Sequence, residues 1–258
     1  MHDRGGADRV PGVGYVRGEA GYVAGQTVGA TGGISHAMAS RAIVDAGVRL
    51  VAAGLVAGQD GNISVRMDDD LVLVTPAGMG KGRMTVDDLV RVDLDGRVVG
   101  SPNGRPSSEL AVHLAIYRAR VDARAVVHAH PPTATGFALA GEDFMAPLLP
   151  EIILGLGGVP LVPYATPGSG ALGINVEAAI HGHDALLLAN HGAVTLGSTL
   201  EQALQRMEIL EHAARIILTA RLLGRVNPLT PEQLKALREL RDGVSPGGAS
   251  TFAQESAR

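Results

Sequence analysis

The stretch AVVHAHPP, residues 125–132, sets two histidines two positions apart at the end of an apolar run. A short apolar segment of this kind, closed by proline, predicts a buried strand. His128 and His130 then project from the same face of that strand, with Cα atoms roughly 6.6–7 Å apart. Two imidazoles at that separation can converge on one metal ion. A third protein ligand would still leave the open position that a catalytic metal needs.

A third histidine, His191, lies in ALLLANHGAVTLG, residues 185–197, which predicts two strands around a turn at Asn190–Gly192. Functional residues are common at such strand ends, and an ordinary turn histidine is the alternative. His181 and His183 form a second pair with the spacing of His128 and His130. The extended run from His183 to His191 spans roughly 26 Å, so the two cannot share an ion. We interpret His181 and His183 as solvated loop residues.

Composition limits the partners of this site. The 258 residues fit one large α/β domain, and the absence of cysteine leaves His, Asp and Glu as metal ligands. A net charge of -4 gives no electrostatic case for binding nucleic acid or an anionic membrane. No apolar run is long enough to span a membrane or to serve as a signal peptide. We therefore expect a cytoplasmic protein that acts on a small molecule.

The pattern of turns and apolar spacing predicts the order of the elements. We expect a flexible Gly-rich arm over residues 1–33, one catalytic domain over 34–242 and a flexible tail over 243–258. The predicted strands of the domain lie at 62–66 and 71–78, around the turn at 68–70, and a hairpin turns at Asp95–Gly96. The predicted helices cover 35–57 and the stretch from Pro106–Ser108 to Arg120. A third helix is capped at Ser198–Glu201 and reaches Leu223, and a last helix starts at Thr230.

Polar residues near two predicted turns suggest an anion site. Ser107 and Ser108 at a helix N-terminus offer hydroxyls and backbone N–H groups, although plain helix capping is the alternative. Glu109 suits a first helical turn, and His113, one turn later, shares its face in a structural or supporting role. Gly61–Asn62 and Gly78 permit close backbone approach and supply an amide for phosphate or hydroxyl groups. Taken alone, the serine pair with Glu109 fits plain helix capping better than an anion site, and the two glycine fragments fit an ordinary turn equally well.

Taken in order, GNISVR (61–66), TPAG (75–78), PSSE (106–109), HAH (128–130) and NHG (190–192) resemble the class II aldolase/adducin family, in particular its L-fuculose-1-phosphate aldolases. The resemblance covers about residues 35–240. It implies an α/β fold of three layers, α/β/α, on a central, mainly antiparallel sheet. It also implies a homotetramer with active sites at subunit interfaces.

The same resemblance assigns roles to residues. His128, His130 and His191 become zinc ligands, and Glu109 contacts the metal in the substrate-free state and moves a proton when substrate is bound. The phosphate pocket comprises Gly61, Asn62, Gly78, Ser107 and Ser108. The implied reaction is reversible aldol cleavage of a small ketose 1-phosphate to dihydroxyacetone phosphate and an aldehyde through a metal-stabilised enediolate. Three histidines with a carboxylate suit Mn²⁺, Co²⁺ or Fe²⁺ as well as Zn²⁺.

The chain departs from the aldolase pattern at three points. Ala77 replaces the usual Thr or Ser of the phosphate loop, a C-terminal tyrosine is missing, and Glu151 stands where the aldolases carry another tyrosine. Glu151 is either a second catalytic acid/base or a carboxylate at the end of an element. The alternative functions are therefore epimerisation, dehydration or decarboxylation of a sugar phosphate or hydroxy acid at the same metal. A non-catalytic, adducin-like interaction domain is the remaining alternative.

Overall fold

The computed structural model describes residues 35–67 and 71–243. The predicted N-terminal arm, the tail beyond Gly243 and the turn at 68–70 lie outside the described residues. The helices are α1 (His36–Ala52), α2 (Leu110–Ala119), α3 (Pro132–Leu139), α4 (Pro150–Gly155), α5 (Gly170–Ala179), α6 (Leu200–Leu222) and α7 (Pro231–Gly243). The strands are β1 (Asn62–Arg66), β2 (Leu71–Val74), β3 (Val90–Asp93), β4 (Ala125–Ala129), β5 (Leu161–Val162), β6 (Ala185–Leu188) and β7 (Gly192–Gly197).

The strands form one seven-stranded sheet in the order β3-β2-β1-β4-β7-β6-β5. Each pair of neighbours runs antiparallel except β5 and β6, which are parallel. The expected three-layer fold is confirmed, with a sheet that is mixed rather than purely antiparallel. The parallel pair arises because the connection from β5 to β6 passes through α5, a crossover of the kind that parallel strands require.

Two apolar cores lie on opposite faces of this sheet, because alternate strand residues point to opposite sides. In β4, Val127 contributes to the core under α1, α3, α4 and α6, whereas Val126 contributes to the core under α2 and α5. His128 has the same parity as Val126 and therefore lies on the α2 side. This parity brings the histidine of β4 towards the first turn of α2.

Several predicted boundaries are wrong by a few residues for local reasons. Helix α1 ends at Ala52, before Gly54 with φ of 68°, rather than near Gly58. The N-cap of α6 is Thr199, whose side chain accepts from the N–H of Gln202, and not Ser198. The predicted cap at Thr230 is confirmed, since its hydroxyl accepts from the N–H of Gln233.

The predicted hairpin at Asp95–Gly96 is wrong in its second strand. Strand β3 pairs with β2, and the returning chain makes an isolated bridge between Val92 and Val98. The side chain of Asp93 accepts from the backbone N–H groups of Asp95 and Arg97 at 3.0 and 2.8 Å. Those N–H groups are satisfied within the turn, which competes with a regular ladder.

Candidate metal centre

The three predicted histidines meet where β4 ends and β7 begins, beside the start of α2. In the ladders around β4, His128 lies opposite Asn62 of β1 and Val194 of β7. His130 follows β4 by one residue, and His191 precedes β7 by one residue. The turn into β7 depends on Asn190, which takes a positive φ of 57°. Asparagine tolerates this left-handed conformation better than other residues with a Cβ.

The imidazoles form a compact triangle. Their ring centroids are 4.8–5.0 Å apart, and one ligand atom from each ring lies within 4.8 Å of the others. Within the described ranges, this is the single group of three His, Asp or Glu side chains placed to hold a metal ion. His181 and His183 belong to no such group and lie in the loop before β6, where His181 is exposed as predicted, whereas His183 is half-buried.

Two of the imidazoles are oriented by acceptors on their outer side. Nδ1 of His128 donates to the carbonyl oxygen of Ala193 at 2.9 Å, so its Nε2 faces the triangle as a bare acceptor when the ring is neutral. Nδ1 of His130 lies 3.4 Å from the carboxylate of Asp60, and its Nε2 lies 3.2 Å from Nε2 of His128. Burial, with the nearby charges of His128 and His191, lowers the pKa of His130 to about 4. His130 is therefore neutral at physiological pH, as a metal ligand must be.

Glu109 closes the triangle from α2. Its Oε2 lies 3.1 Å from Nε2 of His128, and its Oε1 lies 3.0 Å from Nε2 of His191. Burial alone would raise the pKa of Glu109, but the imidazoles of His128 and His191 outweigh it and hold that pKa well below its usual range. The carboxylate is therefore ionised at neutral pH.

The donor set fits a divalent cation. Nε2 of His128 and of His191 lie 3.1 and 3.0 Å from the carboxylate oxygens of Glu109, and Nε2 of His130 lies 3.2 Å from Nε2 of His128, so four potential ligands converge on one point. Ligand atoms about 2.0–2.1 Å from a tetrahedral ion lie about 3.3 Å apart, close to these separations. Glu109 Oε1 and His191 Nδ1 are also buried without a hydrogen-bond partner in the described structure. Buried polar atoms without a hydrogen-bond partner beside three converging imidazoles are an expected feature of a metal site.

The predicted anion-binding segments lie together beside this centre. Residues 75–78 and 105–108 are joined by backbone hydrogen bonds, from Ala77 N–H to the Arg105 carbonyl and from Ser107 N–H to the Thr75 carbonyl. Ser107 is buried and its hydroxyl accepts from the N–H of Glu109, whereas Ser108 is exposed. Helix α2 starts after Glu109 rather than at Pro106, so the hydroxyls do not act as the predicted N-cap.

Glycine is required at one position of this pocket. Gly61 has φ of 72°, and a Cβ there would lie 2.8 Å from the carbonyl oxygen of His128. Gly78 also has a positive φ, of 71°. Close packing of the Gly61 backbone against β4 keeps the segment 60–62 next to the histidines.

Two predicted site residues lie elsewhere than expected. Both polar side-chain atoms of Asn62 have partners: Nδ2 donates to Glu109 at 2.9 Å, and Oδ1 contacts His113. The amide therefore faces Glu109 rather than an open pocket. Glu151 is exposed in the first turn of α4, the position of a carboxylate at the end of an element, and lines a cavity of about 280 Å³ with Glu208 and His212, a lining that includes none of the triad.

Sequence reasoning missed two charged residues near the site. Asp60 supports His130, and Lys81 is buried, with Nζ donating to the carbonyls of Gln59 and Met79 at 3.0 and 2.6 Å. Lys81 thus ties the segment before Gly61 to the segment after Gly78. Both partners are backbone carbonyls, and that of Gln59 is 22 residues away in sequence, so no motif signals them.

A family model described as "Class II Aldolase and Adducin N-terminal domain" matches residues 41–218, a range that includes all three histidines and Glu109. The chain belongs to the class II aldolase and adducin family. No helix in the described part of this family member is both long and apolar enough to cross a membrane.

Relatives within the family carry out two different reactions. A 3-oxo-tetronate 4-phosphate decarboxylase of Pectobacterium atrosepticum is 34% identical over 187 residues, covering 71% of this chain and 85% of the relative. An L-fuculose phosphate aldolase of Haemophilus influenzae is 37% identical over 180 residues, covering 69% and 82%. The solved structure of an L-fuculose 1-phosphate aldolase superposes with a TM-score of 0.75 at 31% identity, covering 81% of this chain and 98% of the other. The relatives of this chain within the family therefore include both aldolases and decarboxylases.

Proposed function

We propose that this protein is a divalent-metal-dependent lyase that cleaves a carbon–carbon bond in a small phosphorylated hydroxy-ketone, with reversible aldol cleavage of a ketose 1-phosphate as its reaction. The observation that carries the proposal is the convergence of three imidazoles and one ionised carboxylate on a single point. An adducin-like interaction domain has no need of such a donor set. His128, His130 and His191 would hold the ion, with Glu109 as a further ligand when no substrate is bound.

A divalent ion at this point would act as a Lewis acid towards the oxygens of a hydroxy-ketone. We expect Zn²⁺, and Mn²⁺, Co²⁺ or Fe²⁺ would suit the same donors. Glu109 accepts the proton of the substrate hydroxyl as the neighbouring carbon–carbon bond breaks and the aldehyde leaves. The electron pair of that bond stays on the carbon beside the carbonyl. Returning the proton to this carbon completes dihydroxyacetone phosphate.

The phosphate would lie against the two joined segments next to Glu109. Ser107 accepts from the Glu109 N–H, which leaves its own hydroxyl hydrogen to donate to a phosphate oxygen. Ser108 and the backbone at Gly61 and Gly78 would add further donors. The side chain of Asn62 acts instead on Glu109, because its Nδ2 already donates to that carboxylate.

Decarboxylation is the second candidate, supported by the 34% identity to a 3-oxo-tetronate 4-phosphate decarboxylase. Both reactions leave an electron pair on a carbon beside a carbonyl, but here CO₂ departs and the carbon takes up a proton. Glu151, in place of an aldolase tyrosine, would serve as the second acid/base. Since the cavity that Glu151 lines includes none of the three histidines, we propose that Glu151 acts from a neighbouring copy in a homotetramer.

Two parallel assays on Zn²⁺-loaded, full-length protein distinguish the candidates. The first incubates dihydroxyacetone phosphate with short aldehydes and measures ketose phosphate formed; the second measures CO₂ released from 3-oxo-tetronate 4-phosphate. Aldol condensation that disappears in His128→Ala supports the main proposal. CO₂ release without condensation would replace it with the decarboxylase. Inactivity in both assays, at full metal occupancy, would contradict both.

A further inference from the structure

A chain of buried polar side chains leads from Glu109 into the core beneath α2. Its members are Glu109, Asn62, His113, Ser64 and Tyr117, and each is at most 8% exposed. Nδ2 of Asn62 donates to Glu109 Oε2 at 2.9 Å, and Oδ1 of Asn62 contacts Nε2 of His113. Nδ1 of His113 lies 2.7 Å from the Ser64 hydroxyl, which lies 2.8 Å from the Tyr117 hydroxyl.

The chain joins one face of a strand to one face of a helix. Asn62 and Ser64 are two residues apart in β1 and point to the same side of the sheet. Glu109, His113 and Tyr117 follow at intervals of four and therefore share the face of α2 that covers that strand. The contacts alternate between the two elements, so β1 and α2 hold each other in register through polar groups within an otherwise apolar core.

The direction of each hydrogen bond follows from chemistry. The Nδ2 group of Asn62 donates to Glu109 Oε2, which leaves Oδ1 of the same amide facing His113. Oδ1 requires a donor, which must be Nε2–H of His113. Complete burial lowers the pKa of His113 to about 3, so the ring is neutral and carries that single proton. Bare Nδ1 must then accept from Ser64, and the Ser64 oxygen accepts from Tyr117, whose pKa is raised by burial.

We propose that His113 is a positioning residue for Glu109, acting through Asn62: its Nε2–H fixes the amide in the orientation that donates to the carboxylate. This proposal rests on the proton-transfer role proposed for Glu109. With the amide reversed, Oδ1 of Asn62 would face Glu109 Oε2 at hydrogen-bond distance, acceptor against acceptor. Apolar side chains would fill the same volume without the cost of burying five polar groups, which indicates a specific orienting role.

The tautomer of His113 is the first test, and it does not depend on activity. Full-length, Zn²⁺-loaded protein with ¹⁵N-labelled histidine is compared with the His113→Gln variant, which assigns the His113 signals. We expect a neutral ring protonated at Nε2 with a bare Nδ1 at pH 7. A proton on Nδ1, or a doubly protonated ring, would overturn the proposal, because the ring could not then hold Asn62 as described.

Two substitutions at His113 provide the kinetic test. Glutamine can place an N–H near the position of Nε2, whereas asparagine is too short to reach Asn62. We expect His113→Asn to lower kcat by roughly 10- to 100-fold with KM and bound zinc unchanged, and His113→Gln to recover most of that loss. Equal losses in both variants, or a loss of bound zinc, would contradict a positioning role.

Thr195→Val separates positioning from general destabilisation. It removes another buried hydrogen bond, from the Thr195 hydroxyl to the Ala203 carbonyl at 2.7 Å, outside the chain that leads to Glu109. We expect reduced stability with unchanged kcat. If Thr195→Val lowers kcat as much as His113→Asn does, the kcat losses of both variants result from destabilisation, which contradicts the positioning role. If His113→Asn does not fold, the proposal is tested by the tautomer of His113 in the wild type and by the kcat of His113→Gln. Failure of the wild type to bind zinc or turn over would reject the proposed function and leave the tautomer result standing.

Discussion

Glu109 shows why single residues of this site were hard to interpret from sequence. Taken alone, the PSSE segment favours helix capping over an anion site, and Glu109 suits the first turn of a helix. In the structure Glu109 is the N-cap residue of α2, but its side chain makes no cap hydrogen bond. The carboxylate instead faces His128 and His191, which are remote in sequence. That contact depends on the register between α2 and the sheet, which no local pattern specifies.

Glu109→Gln tests the role of this carboxylate at the residue scale. The amide keeps the size of the side chain but cannot take up a proton at neutral pH. We expect metal content within error of the wild type and a kcat at least 100-fold lower. Turnover that is unchanged, measured at saturating substrate and full metal occupancy, would remove the proton-transfer role.

At the scale of elements, apolar spacing and turn residues predicted most helices and strands, including the strand ends that carry the histidines. The boundaries failed where a side chain satisfied the backbone locally, as Asp93 does after β3. The partners of Asn62 were missed for a different reason. A glycine–asparagine pair before a strand indicates a turn or a pocket. Only the packing of α2 against β1 reveals that the amide of Asn62 points at Glu109.

Helix α3 illustrates how an element supports the site. It begins at Pro132, two residues after His130, and its first N–H groups are bound by a buried carboxylate from α6. Glu211 accepts from the N–H groups of Thr133 and Ala134 at 3.0 Å each and from the Thr133 hydroxyl at 2.8 Å. The negative charge is favourable at the positive end of the helix. Glu211 therefore anchors the chain directly after the second metal ligand.

Glu211→Ala should accordingly destabilise the protein. Unpaired N–H groups would remain buried, and we expect a loss of about 2–4 kcal/mol in the free energy of unfolding, measured by denaturant titration. Glu208→Ala on the same helix is the matched control. Its partner Arg49 is exposed, and such ion pairs contribute at most about 1 kcal/mol. Equal losses of unfolding free energy in the two variants would show that the cap on α3 stabilises the protein no more than an exposed ion pair does.

At the scale of the whole molecule, the three-layer architecture was predictable from the ordered motifs, whereas the location of Glu151 was not. A carboxylate aligned with an aldolase tyrosine suggested a residue of the same pocket. Within one chain it lies with Glu208 and His212 in a separate cavity. The homotetramer with sites between subunits stays a prediction, and it is the arrangement in which Glu151 would reach a metal centre.

Mixed assemblies test that arrangement. Glu109→Gln and Glu151→Ala should each be inactive alone if both groups are catalytic and come from different copies. Co-expression would then restore activity, because a site built from two copies is intact in about a quarter of random pairings. Recovery with co-purified chains supports a shared site. A mixture no more active than the better single variant would place Glu151 outside catalysis.

The central claim is that His128, His130 and His191 form one metal site, and the metal content of purified protein tests it most directly. We predict about one divalent ion per chain in the wild type, prepared without chelators and measured by mass spectrometry. Alanine at any of the three histidines should remove it, whereas His181→Ala and His183→Ala, in the other HxH pair, should retain it. A wild type without metal, or an ion that survives loss of the triad, would contradict the account.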